Sequence, residues 1–413
     1  MEKYAYNDIG RPNVLIPYFL ISLSSQYPFY PYIPISLLCA ILKDQFMGSL
    51  TVKDVTDHLE SFAPQAYQES YDNSGLLTGN PSQEVTGILI SLDCTEPVVA
   101  EAIERKCNLI VAHHPIIFRG LKKLTGSSYV ERTVMKAIRS GIAIYAIHTN
   151  LDNVHTGVNR KICEKIGLVN LRILAPKADV LTKLVTFIPT QHAGDVLSAL
   201  YAAGAGQIGN YENCSFSVEG RGTFKPNEKA NPVIGERMVQ EVVEETRVEV
   251  ILPLHAQSRV LQALKSAHPY EEVAFYLTDL KNPNQEVGSG MIGELDEPLE
   301  PSDFLKRLKK SMDLKVIRHT RLLDQPVKKV AVCGGSGSFL LPHARKAGAQ
   351  VYISADFKYH EFFDAEDQII IADIGHYESE VYTKELLGEV LTKKFPTFAI
   401  NFSGTVTNPI SYL

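Results

Sequence analysis

"GILISLDCTEPVVAEAIERKCNLIVAHH", Gly87 to His114, is the stretch on which the fold turns. It holds one apolar run that ends at Asp93, a segment with Pro97 near its start, and a second apolar run that ends at His113 and His114. Proline is tolerated in the first helical turn, where its missing N–H would have had no intrahelical partner. Both apolar runs are near-continuous rather than alternating, as strands are when helices cover both faces of their sheet. The stretch therefore predicts strand, helix and parallel strand.

The flanks extend the same rhythm. "TVKDVTDHLESFAP" predicts an amphipathic helix with Val52, Val55, Leu59 and Phe62 on one side and Pro64 as its stop. "SYVERTVMKAIRSG" predicts a helix closed by Gly141, and "IAIYAIHTNLDNV" a strand that runs out into polar residues. The fold class is α/β. A shift of 242 positions lays Gly87–His114 on "KVAVCGGSGSFLLPHARKAGAQVYISAD", placing Ile88 on Val330, Asn108 on Gln350 and His114 on Asp356. The chain is thus expected to hold two related α/β halves. Between them, about Leu181 to Leu280, the order changes to β-α-β twice, the ferredoxin-like α+β pattern. Loop-closure cost grows slowly with length, so such an insert is affordable within a discontinuous outer domain. The expected division is 1–46, 47–180, 181–282 and 283–413.

Composition narrows the function classes. A formal net charge of -6 offers no basic stripe for phosphates, so a small molecule or a metal is a better expected partner than nucleic acid. The six cysteines (Cys39, Cys94, Cys107, Cys163, Cys214, Cys333) form no C-x-x-C pair, which disfavours a disulfide framework or zinc knuckle and points to a reducing cytoplasm. Pro12 to Leu42 carries no charged residue, but prolines at 12, 17, 28, 31 and 34 cut it into pieces too short for a membrane span. Residues 1–46 are expected to be a disordered or mis-started extension, with Met47 the better start and no membrane partner.

In open α/β sheets ligands gather outside the carboxyl ends of strands. Three such ends carry metal-type ligands: His113 with His114; "HTNLDNVH" with His148, Asn150, Asp152 and His155; and "GHYESE" with His376, Glu378 and Glu380. His376 and Glu380, four apart, share a helix face, and Glu378 points elsewhere. Inside a strand His113 and His114 would face opposite sides, but beyond its end the chain can turn, and Pro115 keeps His114 out of helical geometry. Two histidines, one aspartate, and a further histidine and glutamate exceed what one four-coordinate site with an open position needs. They suit two ions about 3.5 to 4 Å apart with a bridging carboxylate. His148 and His155 are either ligands or outer donors that orient them. Zinc, iron and manganese all match such a mixed set. In "ADFKYHEFFDA", Asp356 and His360 stand at another strand end as candidate catalytic acid or base groups or substrate contacts, and Asp93 is a third. "CGGSGSF" reads as an anion cradle or a tight structural turn.

Together "VAHHPIIF", "IYAIHTNLDNVHTGVN", "GGSGSF", "DFKYHEFFDA" and "GHYESE" resemble the signature segments of the dinuclear-metal-centre family of GTP cyclohydrolase 1 type 2 homologs, from about Thr51 onward. The resemblance implies His113, His114, Asp152, His376 and Glu380 as ligands of two divalent ions and a ring-like homohexamer. It also implies that the insert, with "HPYEEVAFYL", is the PII-like or CutA-like domain of longer members. "YDNSGLL" departs from the family's W-D-N-x-G segment, with Tyr71 where the family has Trp. The implied activity is metal-dependent hydrolysis of a nucleotide or another small molecule by a metal-bound hydroxide. The alternative is a non-catalytic protein that handles, inserts or senses metal.

Overall fold

The computed structural model describes residues 49–413; the expectations for the first 46 residues lie outside them. Thr51 opens helix α1 (Val52–Phe62) with a reciprocal cap: its hydroxyl accepts from Asp54 N, and the Asp54 carboxylate accepts from Thr51 N at 2.8 Å. Such a box satisfies two donors that the helix start leaves free. Then follow β1 (Gly75–Thr78), β2 (Ile88–Ser91), α2 (Glu96–Glu104), β3 (Leu109–Ala112), α3 (Tyr129–Arg139), β4 (Ala143–Ala146), α4 (Thr149–Asp152), α5 (Val158–Ile166) and β5 (Val169–Lys177). The first sheet has the order β1-β4-β3-β2-β15, where β15 is Ile400–Phe402, and only β1 runs antiparallel. Every residue of β2, β3 and β4 is buried, which is why their sequences are apolar without alternation. Burying one such Ile or Val side chain stabilises by about 1.5 to 3 kcal/mol.

β6 (Leu181–Pro189), α6 (Ala193–Ala202), β7 (Ser215–Phe224), β8 (Glu241–Pro253), α7 (Gln257–Ala267) and β9 (Phe275–Leu280) form a separate four-stranded antiparallel sheet of order β7-β8-β6-β9. Its core joins Leu184, Ile188, Val248 and Val250 to Val196, Leu200, Val260 and Leu264 of the two helices. The chain leaves β5 for this unit and returns in β10 (Asn284–Leu299), and Lys177 pairs directly with Asn284. Departure and return are thus adjacent, so the unit hangs from one antiparallel strand pair.

The remainder comprises α8 (Pro301–Ser311), β11 (Arg318–His319), β12 (Val327–Ser336), α9 (Leu341–Lys346), β13 (Val351–Ala355), β14 (Ile370–Asp373), α10 (His376–Glu380) and α11 (Thr383–Lys394), ahead of β15. The order β11-β14-β13-β12-β10-β5 makes the second large sheet. Its parallel centre pairs Val330 with Val351, and the first sheet pairs Ile88 with Leu109: the same register after the 242-residue shift. The two sheets also trade edges, because β5 precedes the insert yet borders the second sheet, while β15 closes the first. No helix among the described residues is long and apolar enough to cross a membrane.

Candidate metal centre

The centre lies where the carboxyl ends of β2, β3 and β4 meet those of β12, β13 and β14. His113 and His114 keep their backbone bonds to Ser91 O (3.2 Å) and Leu92 O (2.9 Å), yet their rings converge to 4.9 Å between centroids. After β4 the strand does not continue through "HTNLD" but turns into α4. Polar side chains cause the turn: Asn150 Oδ1 accepts from His148 N at 3.0 Å, Asp72 Oδ2 accepts from Thr149 N at 3.0 Å, and Asn150 Nδ2 donates to Ala63 O. That turn carries Asp152 inward. From the other half, α10 presents His376 and Glu380 on one face, as their spacing predicts.

Glu380 is the hub and is 2 % exposed. Its Oε2 lies 2.9 Å from His114 Nε2 and 3.0 Å from His376 Nε2, and its Oε1 lies 3.9 Å from His113 Nε2. Asp152 Oδ1 faces His113 Nε2 across 3.6 Å, and both of these buried atoms lack a hydrogen-bond partner among the described residues. Two ligands of one tetrahedral ion at about 2.0 to 2.2 Å lie about 3.3 to 3.6 Å apart, so this gap has the span a cation would bridge. Ligand atoms of His113, His114 and Glu380 fall within 4.8 Å of one another, a group that could hold a metal ion.

Each inward imidazole is gripped from behind. His113 Nδ1 bonds Ile147 O at 2.8 Å, His114 Nδ1 bonds Asp93 Oδ1 at 2.8 Å, and His376 Nδ1 bonds Asp356 Oδ2 at 2.7 Å. An acceptor on Nδ1 keeps a proton there and turns Nε2 to the centre, the nitrogen that metal-binding histidines offer once it carries no proton. Gly335 permits the close approach of Glu380: at φ 61°, a Cβ there would stand 2.4 Å from Glu380 Oε1. The amides of Gly334 and Gly335 donate to Asn159 Oδ1 and Ser379 Oγ, so the glycine-rich turn serves packing around Glu380 and leaves these two donors no room for an anion.

The electrostatics follow from burial and pairing. Burial opposes charge on His114, but Asp93 and Glu380 outweigh it and hold its pKa up at about 10. Burial also opposes charge on His376, and Glu380 and Asp356 hold it at about 9. Glu380, despite its burial, is held well below the usual carboxylate range by the surrounding imidazoles. Asp152 moves the other way, raised by burial and then by the charge of Glu380, and burial lowers His113.

Of the other sequence candidates, His148 joins the rim, its ring 5.4 Å from His113 and 5.3 Å from His114. Its Nδ1 is held at 2.7 Å by Asp72, a residue passed over in the sequence, where "YDNSGLL" drew attention only to its aromatic position. Asp72 also accepts from Asn73 N, Ser74 Oγ and Thr149, an inward-facing role that only the packed loop reveals. Asp356 is brought to the centre through His376. His360 sits on the exposed 3₁₀ stretch Tyr359–Ala365 and stacks on Phe363 rather than joining the cluster. His155 bonds Glu286 through its backbone, and Glu378 turns toward Asn408.

Fold and site define a mixed α/β protein of several sheets with a buried His and Glu group suited to a metal ion. The description Duf34/NIF3 (NGG1p interacting factor 3) matches residues 50–409, and the chain belongs to that family. It is 38 % identical over 359 residues to the GTP cyclohydrolase 1 type 2 homolog of Halalkalibacterium halodurans, covering 86 % of this chain and 96 % of that one. The Bacillus subtilis protein of the same name is 37 % identical over 371 residues, covering 88 % and 99 %. Among solved structures, the Bacillus cereus protein related to NIF3 superposes with a TM-score of 0.78 at 38 % identity, covering 89 % of this chain and all of that one.

Proposed function

We propose that this chain binds two divalent ions through His113, His114, Asp152, His376 and Glu380 and hydrolyses a small molecule, with nucleotides the first class to test. The observation that carries the reading is the ring of three imidazoles, each held at Nδ1 with Nε2 turned inward, around buried Glu380 and Asp152 Oδ1, which has no hydrogen-bond partner among the described residues. Zinc, iron and manganese all suit this donor set. When bound, such ions polarise a substrate oxygen and make water a nucleophile at neutral pH. The chain's own part is to hold five donors on two sheets and to fix the imidazole tautomers. Asp356 acts in this reading as the residue that positions His376, and His360, exposed outside the cluster, is left as a candidate substrate contact.

The same reading takes the division 47–180, 181–282 and 283–413 as two related halves and a ferredoxin-like, PII-like insert, supported by the strand order β7-β8-β6-β9 with α6 and α7 on one face. It places the protein in the cytoplasm as a homohexamer, with neither nucleic acid nor membrane as partner. GTP enters the substrate panel because relatives carry the name GTP cyclohydrolase 1 type 2 homolog. The test is metal content followed by turnover of GTP and a metabolite panel, with Asp152→Ala as control. About two ions per chain and turnover lost in the variant are expected. Two ions with no turnover, and rapid transfer of them to apo-acceptors, would instead make this a metal-handling protein.

A further inference from the structure

The segment after β15 crosses both halves of the centre. Its root is tied down where Ser403 Oγ, Gly404 N and Thr405 Oγ1 all donate to Glu101 of α2. Four residues beyond Ser403, Thr407 Oγ1 donates to Asp93 Oδ2, and the next residue, Asn408, donates from Nδ2 to Glu378 Oε1 at 3.0 Å. Asp93 is the carboxylate behind His114, and Glu378 lies on the helix that presents His376 and Glu380.

Asp93 sits in the irregular link between β2 and α2, and among the described residues its side chain bonds only His114 and Thr407. One oxygen takes the imidazole N–H and the other takes the Thr407 hydroxyl. A carboxylate held at one oxygen alone can tilt and twist about that bond; one with both oxygens engaged presents a fixed acceptor. We infer that Thr407 is a positioning residue for the metal centre: by fixing Asp93 it fixes the ring and tautomer of His114, so the site is complete only when the segment after β15 has docked. This rests on the metal reading above. It adds that a residue at the far end of the chain, contacting no ligand directly, sets how well the first-half histidine binds.

The experiment uses the full chain, stripped of metal and titrated with Co²⁺, read by visible absorption and by the rise in Tm that the ion produces. Removing an outer partner of a ligating histidine weakens metal binding about 10- to 100-fold, and Thr407, one bond further out, should stand at the lower end. Thr407→Val is expected to bind Co²⁺ about tenfold more weakly, with an altered visible spectrum, and Thr407→Ser to return to within about twofold of the parent. A purely structural role would lower the Tm of the stripped chain and leave the Co²⁺ spectrum and affinity unchanged. That result, or failure of Thr407→Ser to restore what Thr407→Val loses, overturns the inference while the metal reading stands. If Thr407→Val does not fold, Thr407→Ala removes the same hydroxyl without added bulk. A parent chain that takes up no Co²⁺ overturns the metal reading and this inference with it.

Discussion

Metal loading should expel protons, and the geometry says how many. His114 Nδ1 lies 2.8 Å from Asp93 and its Nε2 2.9 Å from Glu380, and between two ionised carboxylates only a doubly protonated imidazolium bonds both. His376 stands in the same way between Asp356 and Glu380. Burial resists both charges, but the carboxylates prevail and hold the pKa values at about 10 and about 9. A metal ion needs the Nε2 lone pair, so each ring must first lose that proton. At pH 7 His114 lies about three pH units below its pKa, and its deprotonation costs about 4 kcal/mol of the ion's binding free energy. His376 is 38 % exposed, so solvent screens its partners and its cost is smaller. Titration calorimetry of Zn²⁺ into the stripped chain at pH 7, in buffers of different ionisation enthalpy, should give about two protons released from the imidazoles, with up to one more from raised Asp152. Apparent affinity should climb steeply from about pH 7 to 9 and level off above about 10. Tight binding with no proton release would mean that the clamp of carboxylates does not hold these rings charged.

The same pairs govern the stripped chain's own pH response. A raised histidine pKa stabilises fully below the ordinary value of about 6.5 and is lost by the folded value, so Tm should fall from about pH 6.5 to 10, more steeply below about 9, where both His376 and His114 contribute. Asp152→Ala should remove more metal than His155→Ala, measured by elemental analysis, because Asp152 aims a buried oxygen at His113, whereas His155 bonds Glu286 through its backbone. Gly335→Ala puts a Cβ 2.4 Å from Glu380 Oε1 at a left-handed φ, and should cost about 1 to 3 kcal/mol in denaturant melts and weaken metal uptake. Deleting residues 181–280 should leave metal content intact, since Lys177 and Asn284 already pair across the gap; a folded chain without metal would contradict this.

Much of the frame was legible in the residues. Unbroken apolar runs such as "LIVA", bounded by polar residues, fit strands covered on both faces, and Thr51 with Asp54 marks a helix start by local bonds alone. The 242-residue shift between Ile88 and Val330 carried over into the same register for three successive pairs, before β12 bulges between Val332 and Ser336, because equivalent apolar spacing fills equivalent sheet positions. His113, His114, Asp152, His376 and Glu380 could be picked out because chemistry concentrates at strand ends. Their mutual distances could not: Asp152 and Glu380 come from different sheets, and only the packing of the two halves sets them around His113.

The outer grip was further from view. Nothing near Asp72 in the chain announces His148, and Asp93 and Thr407 are separated by almost the whole described length. Local propensity and periodicity report on neighbours within a few residues, so the strands, the helices and the candidate donor residues were readable along the chain. Tertiary structure decided which donors face which acceptors, because burial makes every unpaired polar atom costly and only the packed chain can pair atoms so distant in sequence.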